Sequence, residues 1–90
     1  MAYNLTKEQM IEYLKKDAEY FPFEQIISYK KLQAMNDWVP ISAEVKVAYM
    51  SFFRDVKECC IKLLKHNGLN TSNDNRLLWK EAIEEIDRLL

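Results

Sequence analysis

The chain has 90 residues, a length that holds one domain at most. A hydrophobic share of 49% suffices for a core and excludes wholesale disorder, while one Gly and two Pro are too few for the turns of a sheet-rich fold. The formal net charge of -1 lacks the basic excess of a general nucleic-acid binder, so nucleic acid is not an expected partner.

The opening MAYNLTKEQM has no basic start followed by an apolar run, so no signal peptide is expected. No apolar stretch reaches the roughly 20 residues of a membrane span, so no membrane partner is expected. Thr6 begins a helix with a capping box, because Thr6 and Gln9 can each bond the other's amide. Leu5 and Met10 form a hydrophobic staple around that cap. Met10, Ile11, Leu14 and Ala18 make the buried face, and Glu12 and Lys16 form an i,i+4 pair on the wet one. Pro22 disfavours a helical Phe21, so this helix should end near Tyr20.

Pro22 suits the first position of a second helix. There Phe23, Ile26, Tyr29, Leu32 and Met35 recur every third residue, which drifts around a helix instead of holding one face. Residues 36–41, NDWVPI, are a connection: Asn36-Asp37 supplies turn chemistry and Pro40 makes Val39 extended. Trp38 sits in this connection, either as a lid over the end of the core or as an exposed anchor for a partner; the lid is the favoured expectation.

Residues 42–68 organise the rest. Val45, Tyr49, Phe52, Val56, Cys59, Leu63 and His66 alternate spacings of four and three, one stripe along a long helix at 43–67. Phe53, Cys60, Leu64 and Ala48 widen that stripe. Ser42 is the expected N-cap and Glu44 favours the first turn. Lys62, Lys65 and His66 suit the other end, with Gly68 at the C′ position. Adjacent on a helix, Cys59 and Cys60 point about 100° apart and are poorly placed to bridge each other, so they read as buried reduced thiols of a cytoplasmic protein. After the polar loop 68–74 a last helix runs from about Asn75. Trp79, Ala82, Ile83, Ile86 and Leu90 form its face, with Glu84–Arg88 as an i,i+4 pair.

Four helices with short connections predict an all-α fold, a compact bundle around the long helix, in one domain over 1–90. That helix would be about 35 Å long, more than the roughly 30 Å diameter of a compact domain of this size. Val47, Met50 and Ile61 lie off the main stripe beside Arg54, so apolar surface is left for a second copy or another protein to cover. A homo-oligomer is expected, a dimer first, with the stems of Lys46 and Lys57 in the interface and the charges of Arg54, Asp55 and Glu58 toward its rim.

Catalysis needs converging groups or an activated nucleophile, and the pattern offers neither. His66 reads as an end-of-helix cation. Cys59 and His66 are too few for a metal site, and no Cys-x-x-Cys spacing or Gly-rich phosphate loop exists. Glu81, Glu84, Glu85 and Asp87 read as an exposed acidic run. No cofactor, no metal and no enzyme activity are expected. Two groupings, Tyr13 with Lys15 and Lys16, and Tyr29 with Lys30 and Lys31, place aromatics beside cations and leave open a nucleotide or other small anion as ligand.

Residues 31–56 carry Lys31-Leu32-Gln33-Ala34, Asp37-Trp38, Ser42-Ala43-Glu44, Ala48-Tyr49 and Arg54-Asp55-Val56. This succession resembles a short motif of phage tail and tail-fibre assembly chaperones, with a shorter spacer after Trp38 and Met50 where that family carries Arg. The resemblance implies a small phage-encoded binding protein and carries over no catalytic residue. The sequence therefore leads to the expectation of a non-enzymatic protein-binding module, an adaptor, assembly chaperone or inhibitor. Tyr29, Lys30, Lys31, Trp38, Val47, Met50, Arg54 and Ile61 are its candidate contact residues. A helical binder of a small anionic ligand is the alternative.

Overall fold

A computed structural model describes residues 4–36, 38–66 and 73–90. Its elements are α1 (Lys7–Lys16), α2 (Phe23–Ala34), α3 (Ala43–Lys65) and α4 (Asn73–Leu89), and no strand occurs among the described residues. The chain is all-α.

The capping box of α1 is formed: the Gln9 amide donates to Thr6 Oγ1 at 3.2 Å and the Thr6 amide donates to Gln9 Oε1 at 2.9 Å. This satisfies two of the donors that a helix start otherwise leaves open. α1 stops at Lys16, earlier than the expected end near Tyr20. The Asp17 carbonyl collects the amides of Tyr20 and Phe21 at 2.9 and 2.8 Å, so the chain leaves the helix through turns. Pro22 is the N-cap of α2, one place before the expected first helical position, and the Phe21–Pro22 peptide bond is cis.

α2 is the weakly amphipathic helix that the three-residue spacing implied. Ile26 and Tyr29 are buried, Leu32 is half-buried, and Ile27 and Met35 are exposed. Ser42 caps α3, its Oγ accepting from the Val45 amide at 3.2 Å. α3 ends at Lys65; His66 is its exposed C-cap and leaves the apolar stripe. The C′ role assigned to Gly68 lies outside the described residues, as does Asp37. α4 starts at Asn73, two residues before the expected Asn75.

The core joins Met10 and Leu14 of α1, Ile26 and Tyr29 of α2, Phe52, Phe53, Val56, Cys59, Cys60 and Leu63 of α3, and Trp79, Ala82 and Ile86 of α4. Aromatic rings run through it. Phe21 meets Phe52 edge-on at 5.9 Å, Phe52 meets Phe53 at 5.4 Å, and Tyr29 meets Phe53 at 5.9 Å and Tyr49 at 5.1 Å. Edge-on and tilted pairs at these separations add to the burial of each ring.

α4 also closes the ends of its neighbours. Trp79 is fully buried, and its Nε1–H donates to the Leu14 carbonyl at 2.9 Å. Arg76 donates to the Leu64 carbonyl at 3.0 Å and Asn75 to the Lys15 carbonyl at 3.4 Å. These carbonyls belong to the last turns of α1 and α3, where a helix has no internal partner for them. Lys57 of α3 pairs with Asp87, and Lys30 of α2 reaches Glu85 at 3.0 Å. Arg88 takes Glu85, not the expected Glu84. The assembled helices span 47 × 21 × 18 Å.

Candidate interaction surface

The connection from α2 to α3 is tied by its own backbone. The amides of Trp38 and Val39 both donate to the Met35 carbonyl, at 2.9 and 2.8 Å, and Asn36 Oδ1 accepts from the Ile41 amide at 2.9 Å. Trp38 is nevertheless 87% exposed and Val39 63% exposed. The expected lid is therefore corrected: Trp38 covers nothing in the core, and its ring stands in water. A tryptophan buries about 150–250 Å² when covered, worth a few kcal/mol at about 25 cal/mol per Å².

The first two turns of α3 continue this surface in sequence. Val47 is 66% exposed, and it lines a shallow apolar depression with Ala43, Glu44, Ala48 and Ser51. Val45, Ala48, Tyr49 and Met50 are half-buried, and full burial on this helix begins only at Phe52.

Val47, Met50, Arg54 and Ile61 lie along one strip of α3, as their spacing required. The strip is unevenly open. Met50 packs partly against the core and Ile61 is half-buried, while Arg54 is exposed. Lys57 and Glu58 bracket the strip. Glu58 is held by Lys7 of α1 at 2.9 Å, and Lys57 by Asp87 of α4. Lys57 thus takes part in the α3–α4 contact. Glu58 pairs with Lys7 and Lys62, not with Arg54. The Lys7 ammonium, hydrogen-bonded to it, holds the Glu58 carboxyl below the usual carboxylate range.

The Tyr29, Lys30 and Lys31 group does not converge. Tyr29 is 1% exposed, with its ring packed on Tyr49 and Phe53. Lys30 is taken by Glu85, and Lys31 is exposed on another side of the helix. A depression beside the Tyr29 edge is lined by Gln33, Asn36, Ile41 and Lys46, with neither of those lysines among them. A stacked base would find no open ring face on Tyr29.

Both cysteines are free and buried. Burial pushes the Cys60 thiol up to about 12 and raises that of Cys59, which also contacts the Lys7 carbonyl at 3.9 Å. A nucleophilic cysteine needs the opposite shift. In the acidic run, Glu81 and Glu84 are exposed, but Glu85 is engaged by Lys30 and Arg88. Among the described residues no group of three or more His, Cys, Asp or Glu side chains is placed to hold a metal ion. Nor is any helix among them long and apolar enough to cross a membrane.

Sequence reasoning missed a cavity at the α1–α2 elbow, lined in part by Tyr13, Tyr20 and Phe21. The cluster Tyr20-Phe21-Pro22-Phe23 was its only signal. No protein-family model, no curated protein and no solved structure matches the chain.

Proposed function

We propose that this protein is a non-enzymatic module that binds another protein through the α2–α3 connection and the open first half of α3. The observation that carries this is Trp38, 87% exposed on a backbone-tied turn. Large aromatics in that situation are typical anchors of protein interfaces. Val39, Met35 and Val47 extend the apolar surface around it in sequence.

A dimer of two long helices is one form of this reading. Exposed Val47 supports it, whereas half-buried Met50 and Ile61 leave it a narrower seam than the sequence implied. An assembly chaperone of the phage type is another form, and Trp38 lies within the motif that suggests it. The nucleotide alternative draws no support from Tyr29, which lies under Tyr49 and Phe53.

Trp38→Ala tests the reading. Wild-type and variant chains, each tagged and matched by circular dichroism, are compared for retained protein and for mass in sedimentation across a concentration series. The reading expects an associated protein, or self-association, that the variant loses by at least about tenfold in affinity. Association equal in both chains, or none in either, overturns it.

A further inference from the structure

At the elbow between α1 and α2 lies a cavity of about 510 Å³, within the size range of small-molecule sites. Aromatic rings and carboxylates make up most of its lining, beside Leu5 and Gln25. Tyr13 and Phe21 hold their rings 5.3 Å apart, and Tyr20 stands exposed beside them. Asp17 and Glu24 supply two exposed carboxylates. Gln25 also lines the cavity, and its Oε1 is buried with no hydrogen-bond partner. Among the described residues no lysine or arginine lines it. In the adjoining depression, which shares Tyr13 and Asp17, Lys16 is engaged by Glu12 at 3.4 Å, and Glu8 lines the depression as a further acid.

Aromatic faces and carboxylates attract a cation. A guanidinium meets both demands at once: it stacks flat on a tyrosine and forks toward a carboxylate. An ammonium is more strongly hydrated and stacks less well.

We propose that this cavity is a binding site for a guanidinium group, as carried by an arginine side chain or a free small guanidine. The site is separate from the Trp38 surface and stands without it. Asp17 positions the elbow through its main chain, its carbonyl holding the Tyr20 and Phe21 amides, which leaves its carboxylate to the ligand.

The test is titration of the ¹⁵N-labelled full chain, followed by NMR, with four probes: methylguanidine and capped Gly-Arg-Gly, Gly-Lys-Gly and Gly-citrulline-Gly peptides. The arginine peptide should shift the Gln25 side-chain amide and the backbone amides of Asp17, Tyr20 and Glu24 saturably. Neutral citrulline, nearly the same shape, should bind at least about tenfold more weakly, as should lysine. Saturable binding of either guanidinium probe at these residues supports the site, and the tighter one identifies its source. The pair Asp17→Asn with Glu24→Gln should weaken arginine binding at least about tenfold. If that pair does not fold, Tyr20→Ala, at an exposed position, takes its place with the same expectation. Three results overturn the proposal: no saturable shift at these residues up to roughly 50 mM; citrulline or lysine binding as tightly as arginine; or unchanged arginine affinity in the folded variant.

Discussion

The two halves of α3 carry the same apolar repeat and meet opposite fates. From Phe52 to Leu63 the stripe is sealed under α1 and α4. From Val45 to Tyr49 its members are only half-buried. Length accounts for the difference. α3 has 23 residues, α4 has 17 and α1 has 10, so at about 1.5 Å per residue the neighbours are shorter by roughly 9 and 20 Å. α4 is anchored at the far end by Arg76 on the Leu64 carbonyl and by Trp79 on that of Leu14, which leaves the first turns of α3 to α2. α2 covers them mainly through Tyr29 against Tyr49. A hydrophobic pattern specifies which face of a helix seeks cover; the lengths and anchors of other elements decide where cover is found.

The tryptophans state the same contrast in single residues. Trp79 is fully buried with its N–H bonded, and Trp38 is 87% exposed. The largest effect should come from the sealed region. Trp79→Ala and Phe52→Ala should each cost about 3–5 kcal/mol in urea unfolding. A loss below about 1 kcal/mol for Phe52→Ala would place the core on another face of α3. Trp38→Ala should change stability by no more than about 0.5 kcal/mol, which in combination with lost association separates surface from core.

The thiols sharpen the contrast next. Replacing Cys59 and Cys60 together with Ala should lower stability while leaving association intact, because both lie in the sealed half. In the native protein at pH 8, iodoacetamide should leave Cys60 unmodified until the chain unfolds. Burial holds its folded-state value at about 12, against a reference of 9.0. The unfolded chain therefore releases this proton first, and stability should fall as pH rises from about 9 toward 12. Alkylation of Cys60 without unfolding would contradict its burial.

Smaller effects belong to the open half and to the rim. Val47→Ser should leave the thermal midpoint within a few degrees and weaken self-association if long helices pair. Met50→Glu is a poorer probe, because Met50 also packs on the core. Smallest of all is the Lys7–Glu58 pair, whose members are both exposed. Their hydrogen bond lowers the Glu58 value and raises that of Lys7. The contribution through Glu58 is present above the unfolded carboxylate value near 4.5 and is lost as pH falls through the lower folded value. The contribution through Lys7 is present below 10.5 and is lost as pH rises through its higher folded value. Glu58→Gln should flatten the acid limb of the stability profile, and an unchanged limb would show that the pair does not couple to folding.

Much of the architecture was legible because it depends on local rules. Thr6 with Gln9, and Ser42 before Glu44, are caps that a sequence spells out. The four-and-three spacing marked Phe52, Val56, Cys59 and Leu63 as buried, and they are. What was not legible depends on distant parts of the chain. Nothing local says that Arg76 and Trp79 reach carbonyls of α3 and α1, or that Lys57 is taken by Asp87. For Trp38 the sequence left a lid and an exposed anchor open, and burial, which depends on what other elements reach, leaves its ring outside. The α1–α2 cavity was missed because its lining comes from two helices and the turn between them, a combination without a periodic signature.

The central claim is that the α2–α3 connection and the open half of α3 form the surface that receives a partner. Hydrogen–deuterium exchange of the full chain, free and in its association, reads this residue by residue. The account predicts slowed exchange over residues 35–51, with the amides of Phe52 to Leu63 unchanged because they are already sealed. Slowed exchange confined to α1 or α4, with residues 35–51 unaffected, would contradict it.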